Sequence, residues 1–143
     1  MYHIKESLGF LIFRADLKMK NAFLRKMKEF ELTPDHWMIL NRLCEKDGIS
    51  QTELAEKTYK DPASLTRILN RMVKKGWVHR QPSTDDRRSF LIHITDQGKL
   101  IQQAAAPKDL ELLEEITAHM TEEEMYLLRK LVKKLVDGIE VES

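Results

Sequence analysis

The sequence is poor in several residue types on which many functions depend. Cys44 is the one cysteine among 143 residues, so neither an internal disulfide nor a paired-cysteine zinc site can form. Five glycines leave little material for a phosphate-binding loop, and no nucleophile elbow or Cys-His constellation is visible. The five histidines never occur at the i, i+4 spacing of a helical metal pair. We therefore expect a non-enzymatic protein without a cofactor or a bound metal.

Long apolar runs are also missing. No stretch approaches the roughly 18 to 20 consecutive apolar residues that cross a membrane, and the first thirty residues mix charges with apolar residues where a signal peptide would have an apolar run. A chain of this length can bury a core as one domain. The sequence predicts a cytoplasmic protein with no membrane partner, organised as a single domain over residues 1–143.

Charge is balanced overall but unevenly distributed. The formal net charge is +1, which by itself says nothing about nucleic acid. Between Lys60 and Phe90, however, eight basic residues stand against three acidic ones, whereas from Leu91 onward six basic residues stand against eleven acidic ones. The middle segment is therefore the candidate for contact with an anionic partner.

The first thirty residues predict a long helix that is apolar on two sides. No proline interrupts this stretch before Pro34, and its apolar residues follow helical spacing. Phe10, Phe13 and Leu17 lie on a second side of the helix. One small chain cannot easily bury both apolar sides of this helix, whereas a partner chain could cover one of them, so we expect a dimer. The main apolar side comprises Ile4, Leu8, Leu11, Ile12, Ala15, Met19, Ala22 and Phe23.

Three helix starts follow, each with its own capping signal. Thr33-Pro34 opens a helix with Trp37, Leu40, Leu43 and Cys44 facing inward, which ends before Gly48. The segment Ser50-Gln51-Thr52-Glu53 has the pattern of a reciprocal capping box. Asp61-Pro62 opens a helix from about Asp61 to Lys75, which Gly76 terminates. Two capped helices separated by a short turn predict a helix-turn-helix.

The rest of the chain predicts a hairpin and two further helices. Residues 77–81 and 90–94 read as strands joined by a polar loop with Arg87 and Arg88. Thr95 begins a helix that we expect to be bent or interrupted at Pro107, and Thr121-Glu122-Glu123-Glu124 is a second capping box before an apolar last helix. The predicted fold is mainly α with a small β-hairpin: a winged helix-turn-helix lobe over residues 33–96, with long dimerisation helices over 1–30 and 97–143.

The helix from Asp61 to Lys75 has one apolar and one polar face. At 100° per residue, Leu65, Ile68, Leu69 and Met72 cluster on one side, with Val73 at its margin. Arginine can pair with guanine, asparagine with adenine, and a threonine methyl can meet the thymine methyl. Arginines in the hairpin loop would suit a neighbouring minor groove, and Asp86 could orient Arg88 through a carboxylate-guanidinium pair. The polar face holds Ala63, Arg67, Asn70 and Lys74, flanked by Ser64, Thr66 and Arg71.

These motifs together resemble the MarR family of bacterial transcription regulators. The resemblance covers almost the whole chain and is most specific in Asp86-Arg87-Arg88 followed by Thr95-Asp96-Gln97-Gly98. It implies a repressor that acts as a homodimer, whose recognition helices enter successive major grooves of a palindromic operator about 34 Å apart. The DNA-contact residues that follow are Gln51, Thr52, Ser64, Thr66, Arg67, Asn70, Arg71, Lys74, Asp86, Arg87 and Arg88, with Arg88 in the minor groove and Asp86 as its orienting partner.

The resemblance also implies regulation by a small aromatic or phenolic ligand. Residues with suitable apolar or polar groups for such an effector are Phe13, Arg14, Leu17, His36 and Leu40, although simple packing explains each of them as well. Some relatives sense oxidants through a cysteine near the start of the first helix, where this chain has none. Cys44 lies on the predicted inner face of the second helix, so we expect a buried apolar group there and no redox sensor.

Two other functions remain open at this point. Winged helices can serve as protein-binding adaptors, and amphipathic terminal helices could build a scaffold without DNA. A small-molecule enzyme is a third class, for which the sequence offers no constellation. Paired use of Arg67 and Arg88 in salt-dependent DNA binding separates the regulator from the adaptor.

Overall fold

The computed structural model describes residues 1–84 and 89–140, and within these ranges the chain is mainly helical with a small antiparallel sheet. Asp85, Asp86, Arg87 and Arg88 lie outside the described residues. The elements, in chain order, are α1 (Leu8–Lys26), α2 (Pro34–Glu45), β1 (Ile49–Ser50), α3 (Gln51–Thr58), α4 (Pro62–Lys74), β2 (Val78–Pro82), β3 (Phe90–Ile94), α5 (Asp96–Ile116) and α6 (Glu122–Glu140).

The chain divides into two compact units, Met1–Asp109 and Leu110–Ser143. The first unit has a core of large apolar side chains from α2, α3, α4, the sheet and the segment between α1 and α2. This core holds the helix-turn-helix and the hairpin in fixed positions, since close-packed side chains resist displacement. Its fully buried members include Met27, Leu32, Ile39, Leu40, Leu43, Leu54, Leu65, Leu69, Met72 and Ile92.

The predicted helix starts are confirmed, with one difference in detail. At α2 the Thr33 hydroxyl accepts the His36 N–H (3.1 Å) while the His36 ring accepts the Thr33 N–H (3.2 Å), which makes histidine the reciprocal partner. At α3 the Ser50 hydroxyl accepts the Glu53 N–H (3.0 Å), but the Glu53 carboxylate pairs with Lys46 (3.2 Å). The reciprocal half of that predicted box is therefore replaced by an ion pair.

The sheet has three strands in the order β1-β3-β2, one more than the predicted hairpin. The hairpin pairs Val78 with Ile94 and Pro82 with Phe90, and the added strand pairs Ile49 with Ile92. Two residues are too short a run to show alternation, so the sequence pattern missed β1. Its pairing connects the start of α3 directly to the returning strand of the hairpin.

The faces of α2 differ from the prediction. Leu40 and Leu43 are buried as expected, but His36 and Ile39 complete the buried side, and Trp37 is only half-buried. Cys44, expected to be buried, is exposed. The prediction placed the buried side of α2 about one residue too far along the helix, because it counted only apolar residues as buried and left out His36.

The fifth helix is not interrupted at Pro107, so of the two alternatives that we expected there, a bend or an interruption, the interruption is wrong. Proline lies inside α5, which runs from Asp96 to Ile116. The predicted cap is confirmed, because the Thr95 hydroxyl accepts the Gly98 N–H (3.0 Å). The first helix is shorter than predicted: a 3-10 turn at Ile4–Glu6 precedes α1, and a second at Lys28–Phe30 follows it.

The second unit carries the last helix, which begins at its predicted capping box. The Thr121 N–H donates to the Glu124 carboxylate (2.9 Å), and the Glu124 N–H donates to the Thr121 hydroxyl (3.1 Å). Large apolar side chains of α6 are exposed in the single chain. These are Leu127, Leu128, Leu131, Val132, Val136 and Ile139.

No helix among the described residues is long and apolar enough to cross a bilayer.

Candidate nucleic-acid interface

Helix α4 presents a polar face opposite its buried side. Leu65, Leu69 and Met72 are fully buried, which fixes the rotation of the helix about its axis. Ile68 is half-buried and Val73 is 38% exposed, so the apolar margin is narrower than predicted. The opposite residues are exposed, in agreement with the helical pattern. They are Ala63, Thr66, Arg67, Asn70, Arg71 and Lys74, with Ser64 half-buried beside them.

A chain of hydrogen bonds runs along the first turns of α4. The Asp61 carboxylate caps the helix by accepting the Ser64 N–H (3.1 Å) and also accepts the Ser64 hydroxyl (2.6 Å). The Arg67 guanidinium donates to the same hydroxyl (3.1 Å). The hydrogen bonds from Ser64 lower the pKa of Asp61, so its carboxylate is charged at neutral pH. Among the described residues, the Ser64 hydroxyl is the hydrogen-bond partner of Arg67 that we observe, so most donors of its guanidinium can still meet a ligand.

Thr66 joins three elements at the centre of this face. Its hydroxyl accepts a hydrogen bond from the Gln51 amide of α3 (2.8 Å) and donates to the Pro62 carbonyl (2.9 Å). Its backbone carbonyl accepts a hydrogen bond from the Arg80 guanidinium of β2 (3.3 Å). The helix-turn-helix and the hairpin are thereby connected through one residue of the recognition helix.

Sequence reasoning did not include Arg80 among the site residues. Arg80 lies two residues after the buried Val78, so both side chains are on the same face of β2. That face is directed toward α4, as the hydrogen bond to Thr66 shows. The alternation of a strand next to the recognition helix was thus the signal that could have identified this arginine.

An open groove of about 870 Å³ lies between α3, α4 and the hairpin. A second, polar cavity of about 410 Å³ adjoins the start of α4. The groove brings Gln51, Thr52, Thr66 and Asn70 together, and the cavity brings Ser64, Arg67 and Arg71 together. The structure thus groups these seven predicted residues in two adjoining depressions, whereas the predicted residue Lys74 lines neither of them. Other groove-lining residues are Ala55, Glu56, Tyr59, Lys60, Pro62, Arg80, Ser89 and Phe90; Asp35, Tyr59, Lys60, Asp61 and Ile68 also line the cavity.

Asp86, Arg87 and Arg88, the predicted wing residues, lie outside the described residues, and so does any pairing of Asp86 with Arg88. The strands on either side are described: β2 ends at Pro82 and β3 begins at Phe90, which lines the groove. Ser83 donates its N–H to the Ser89 carbonyl (3.2 Å) beyond the ends of the two strands. The described end of the hairpin therefore lies beside the polar face of α4.

The five predicted effector residues lie in two different environments. Phe13 and Leu17 are 64% and 47% exposed on α1, and Arg14 is exposed as well. His36 and Leu40 belong to the buried side of α2. No single surface in this chain gathers all five, and their role in ligand binding stays a prediction.

His36 is a buried titratable group next to the end of α4. Its ring meets the Trp77 ring edge to face, with centroids 5.4 Å apart. Burial, reinforced by the positive charge of Lys75, lowers the pKa of His36. The neutral ring suits its role, because a deprotonated nitrogen must accept the Thr33 N–H.

Cys44 and the histidines offer little redox or metal chemistry within the described part of the chain. Although Cys44 is exposed as a residue, partial burial of its thiol raises the pKa of that group. The positive charge of Lys99 acts in the opposite direction but does not outweigh the effect of burial. A raised pKa disfavours the reactive thiolate. Among residues 1–84 and 89–140, no group of three or more His, Cys, Asp or Glu side chains is arranged to hold a metal ion.

Comparisons with known proteins agree with this geometry. The model of the MarR family matches residues 32–90, which span α2 to the start of β3. The multiple antibiotic resistance protein MarR of Escherichia coli is 30% identical over 130 residues, which cover 90% of each chain.

Two solved structures share the fold. A cysteine-to-serine mutant of E. coli MarR complexed with operator DNA aligns with a TM-score of 0.85 at 29% identity, over 90% of this chain and 92% of that one. BpsR of Bordetella bronchiseptica, studied for regulation of its DNA binding by 6-hydroxynicotinic acid, aligns with a TM-score of 0.89 at 20% identity, over 96% and 98% of the two chains. The helices and the small sheet thus form a winged helix-turn-helix.

Proposed function

Because the chain belongs to the MarR family, we propose that it is a transcription regulator that binds double-stranded DNA sequence-specifically through α4. The observation that carries the proposal is the exposed row Thr66, Arg67 and Asn70 on a helix whose opposite side is fully buried. These side chains offer a methyl group, a forked cation and an amide, which match distinct base edges in the major groove. Each good bidentate pair discriminates against a wrong base by about 1 to 3 kcal/mol.

The residues around this row would hold the helix on the DNA. Arg71 and Lys74 flank it on the exposed face, and Gln51 and Thr52 stand at the start of α3. Contacts of such residues with phosphates fix register and orientation without reading sequence. We assign Arg87 and Arg88 to the neighbouring minor groove, with Asp86 orienting Arg88, because the hairpin that carries them begins and ends beside the groove.

We propose a homodimer on a palindromic operator. The support is the exposed apolar surface of α1 and of α6, each of which is too apolar for a helix that faces water along its length. A two-fold axis would duplicate α4 and place the two copies in successive major grooves, about 34 Å apart. Under this proposal the protein represses transcription by occupying a promoter.

A small aromatic or phenolic ligand is proposed to modulate DNA binding. BpsR, which has the same fold, provides a precedent for an aromatic acid that regulates DNA binding. The candidate residues on this chain are those named above on α1 and α2. Differential affinity of the ligand for the free and the DNA-bound conformations would produce the response.

The experiment is selection of bound duplexes from a random pool by the full-length protein, followed by titration of the selected duplex at several salt concentrations. We expect log K to fall with log salt by about 0.9 for each phosphate that is neutralised. Arg67→Ala should lose discrimination at one position of each half-site, and Arg88→Ala should weaken binding. Repeating the titration with a panel of aromatic acids tests the effector.

The same experiment distinguishes the regulator from the alternative function, a protein-binding adaptor that does not bind DNA. Salt-insensitive or undetectable binding to the random pool would contradict the regulator. Lys130→Ala serves as a matched control, because it removes a positive charge from α6, a helix that carries none of the proposed recognition residues. Its salt slope should equal that of the unmodified protein.

A further inference from the structure

Tyr59 occupies an unusual position at the end of α3. Its backbone is left-handed, with φ 55° and ψ 37°. Its N–H closes the helix by donating to the carbonyls of Ala55 and Glu56, and the next N–H, of Lys60, donates to Ala55 (3.1 Å). A helix end of this kind requires a left-handed residue, but glycine or asparagine meets that need with less strain than a bulky side chain. The cap explains the conformation and leaves the aromatic ring unexplained.

Packing does not account for the ring either. The Tyr59 side chain is 81% exposed, and its hydroxyl makes no hydrogen bond with any residue that the structure describes. Glu31, the other non-glycine residue with positive φ among those described, uses its side chain in an ion pair with Lys75 (3.1 Å). The side chain of Tyr59 has no such use within the fold, and strained non-glycine residues of this kind cluster at functional positions.

The location of Tyr59 indicates what the ring is for. Tyr59 borders both the groove that contains Thr66 and Asn70 and the polar cavity that contains Arg67 and Arg71. It therefore stands on the ridge between the two depressions that collect the proposed DNA contacts. An aromatic side chain on that ridge would meet the strand that borders the major groove.

We propose that Tyr59 contacts the DNA backbone, with its ring against a deoxyribose and its hydroxyl donating to a phosphate oxygen. This inference rests on the proposed function. Tyrosine hydroxyls are established donors to DNA phosphates, and such contacts fix the orientation of a recognition helix. The neighbouring Lys60 is already paired with Asp35 (2.6 Å), while Arg67 and Arg71 on the cavity side attract a phosphate toward the ridge.

The strain makes the inference testable, because stability and binding should change in opposite directions. Tyr59→Asn accepts the left-handed backbone more readily and lacks the ring, so its thermal midpoint should rise while its DNA affinity falls. A residue that served only to cap α3 would give a stabilised protein with unchanged affinity. Tyr59→Phe removes the hydroxyl alone, because phenylalanine keeps the ring and is equally strained in the left-handed conformation.

The measurement uses the full-length protein, the selected duplex and a random-sequence duplex of equal length. Tyr59→Phe should weaken binding by about 2- to 10-fold for each half-site, the value of one hydrogen bond, and both half-sites of the proposed homodimer lose it. The factor should be the same for both duplexes, and the salt slope should stay unchanged because a neutral donor releases no counterion. Tyr2→Phe, a substitution of another exposed tyrosine, is the matched control and should bind as the unmodified protein does.

Affinities of Tyr59→Phe and Tyr59→Asn both within twofold of the unmodified protein would overturn the inference and leave the proposed function intact. Loss of affinity confined to the selected duplex would also overturn it, because that outcome assigns Tyr59 to base reading. Failure of the proposed function is distinguishable, because the unmodified protein would then show no salt-dependent binding to either duplex, and the Tyr59 contact would fall with it.

Discussion

The Gln51 side-chain amide donates a hydrogen bond of 2.8 Å to the Thr66 hydroxyl, across the turn of the helix-turn-helix. Since that hydroxyl also donates to the Pro62 carbonyl, both of its hydrogen-bonding roles are taken up within the protein. The γ-methyl of Thr66 is the part of the side chain left for a ligand. On a DNA-reading helix, its complement is the methyl group of thymine.

We predict that Thr66→Ser weakens binding only where a half-site contains thymine at the matching position. Serine keeps both hydrogen bonds and removes one methyl, whose burial contributes about 0.8 kcal/mol, or about fourfold in affinity. Replacing that thymine with deoxyuridine should cost the unmodified protein the same factor and cost Thr66→Ser nothing further. Additive losses from the two changes would show that the methyl groups do not meet.

Protonation of His36 should destabilise the fold in mild acid. Because the folded-state pKa of His36 lies below the ordinary value of 6.5, the unfolded chain binds the proton more tightly. The contribution of neutral His36 to the free energy of unfolding is complete well above pH 6.5. It declines as the pH falls below that value, by at most about 1.4 kcal/mol per pH unit for one proton. Urea midpoints between pH 7.5 and 5 measure the decline.

His36→Gln is the control for this pH dependence. It removes the titrating group, so the unfolding free energy of the variant should be lower at neutral pH and change less between pH 7.5 and 5. An unchanged pH dependence in His36→Gln would assign the acid sensitivity to other groups.

Gly98 should tolerate no side chain. A Cβ at this position would collide with the Trp77 carbonyl oxygen and approach Ile94 to 2.8 Å, and the carbonyl is backbone that cannot move aside. Gly98→Ala should therefore lower the free energy of unfolding by about 1 to 3 kcal/mol. Gly9→Ala is the matched change in open space on α1 and should raise stability by up to about 1 kcal/mol through helix propensity. Thermal midpoints of the two variants, compared at one protein concentration, measure these changes. Equal changes in Gly98→Ala and Gly9→Ala would contradict the packing argument.

The exposed apolar side chains of α6 predict self-association. Sedimentation should give about twice the chain mass, and Leu128→Asp should shift the distribution toward monomer or aggregate because it places a charge in the covered surface. Lys130→Asp changes the charge of the same helix more strongly and should leave the dimer intact. Removal of the chain from Thr121 onward should leave an aggregating or unfolded product, and a stable truncated monomer would refute the dimer.

Local signals were sufficient for most of the fold. Four predicted helix caps are present in the structure. In each of them a short polar side chain accepts a hydrogen bond from the backbone N–H three residues later, at Thr33, Ser50, Asp61 and Thr121. The exposed face of α4 followed from 3.6-residue periodicity alone. These features depend on neighbours within four residues, so the sequence displays them directly.

Features set by distant contacts could not be predicted in the same way. Strand β1 exists because Ile49 pairs with Ile92, more than forty residues later. Burial of His36 depends on Trp77, and His36 fills a reciprocal capping role that Glu or Gln usually fills. Arg80 joins the site through its hydrogen bond to Thr66 and its position in the lining of the groove. Cys44 was wrongly predicted to be buried because the sequence pattern did not place His36 on the buried side of α2.

The central place of β3 in the sheet gives the hairpin two separate anchors. β3 pairs with β2 on one side and with β1 on the other, and the Asp47 carboxylate accepts the Ile94 N–H (2.8 Å). The register of the returning strand is thus held by residues that precede α3. The strand pairing of the sheet therefore does not depend on segment 83–89, and we expect a protein in which this segment is replaced to keep the same register.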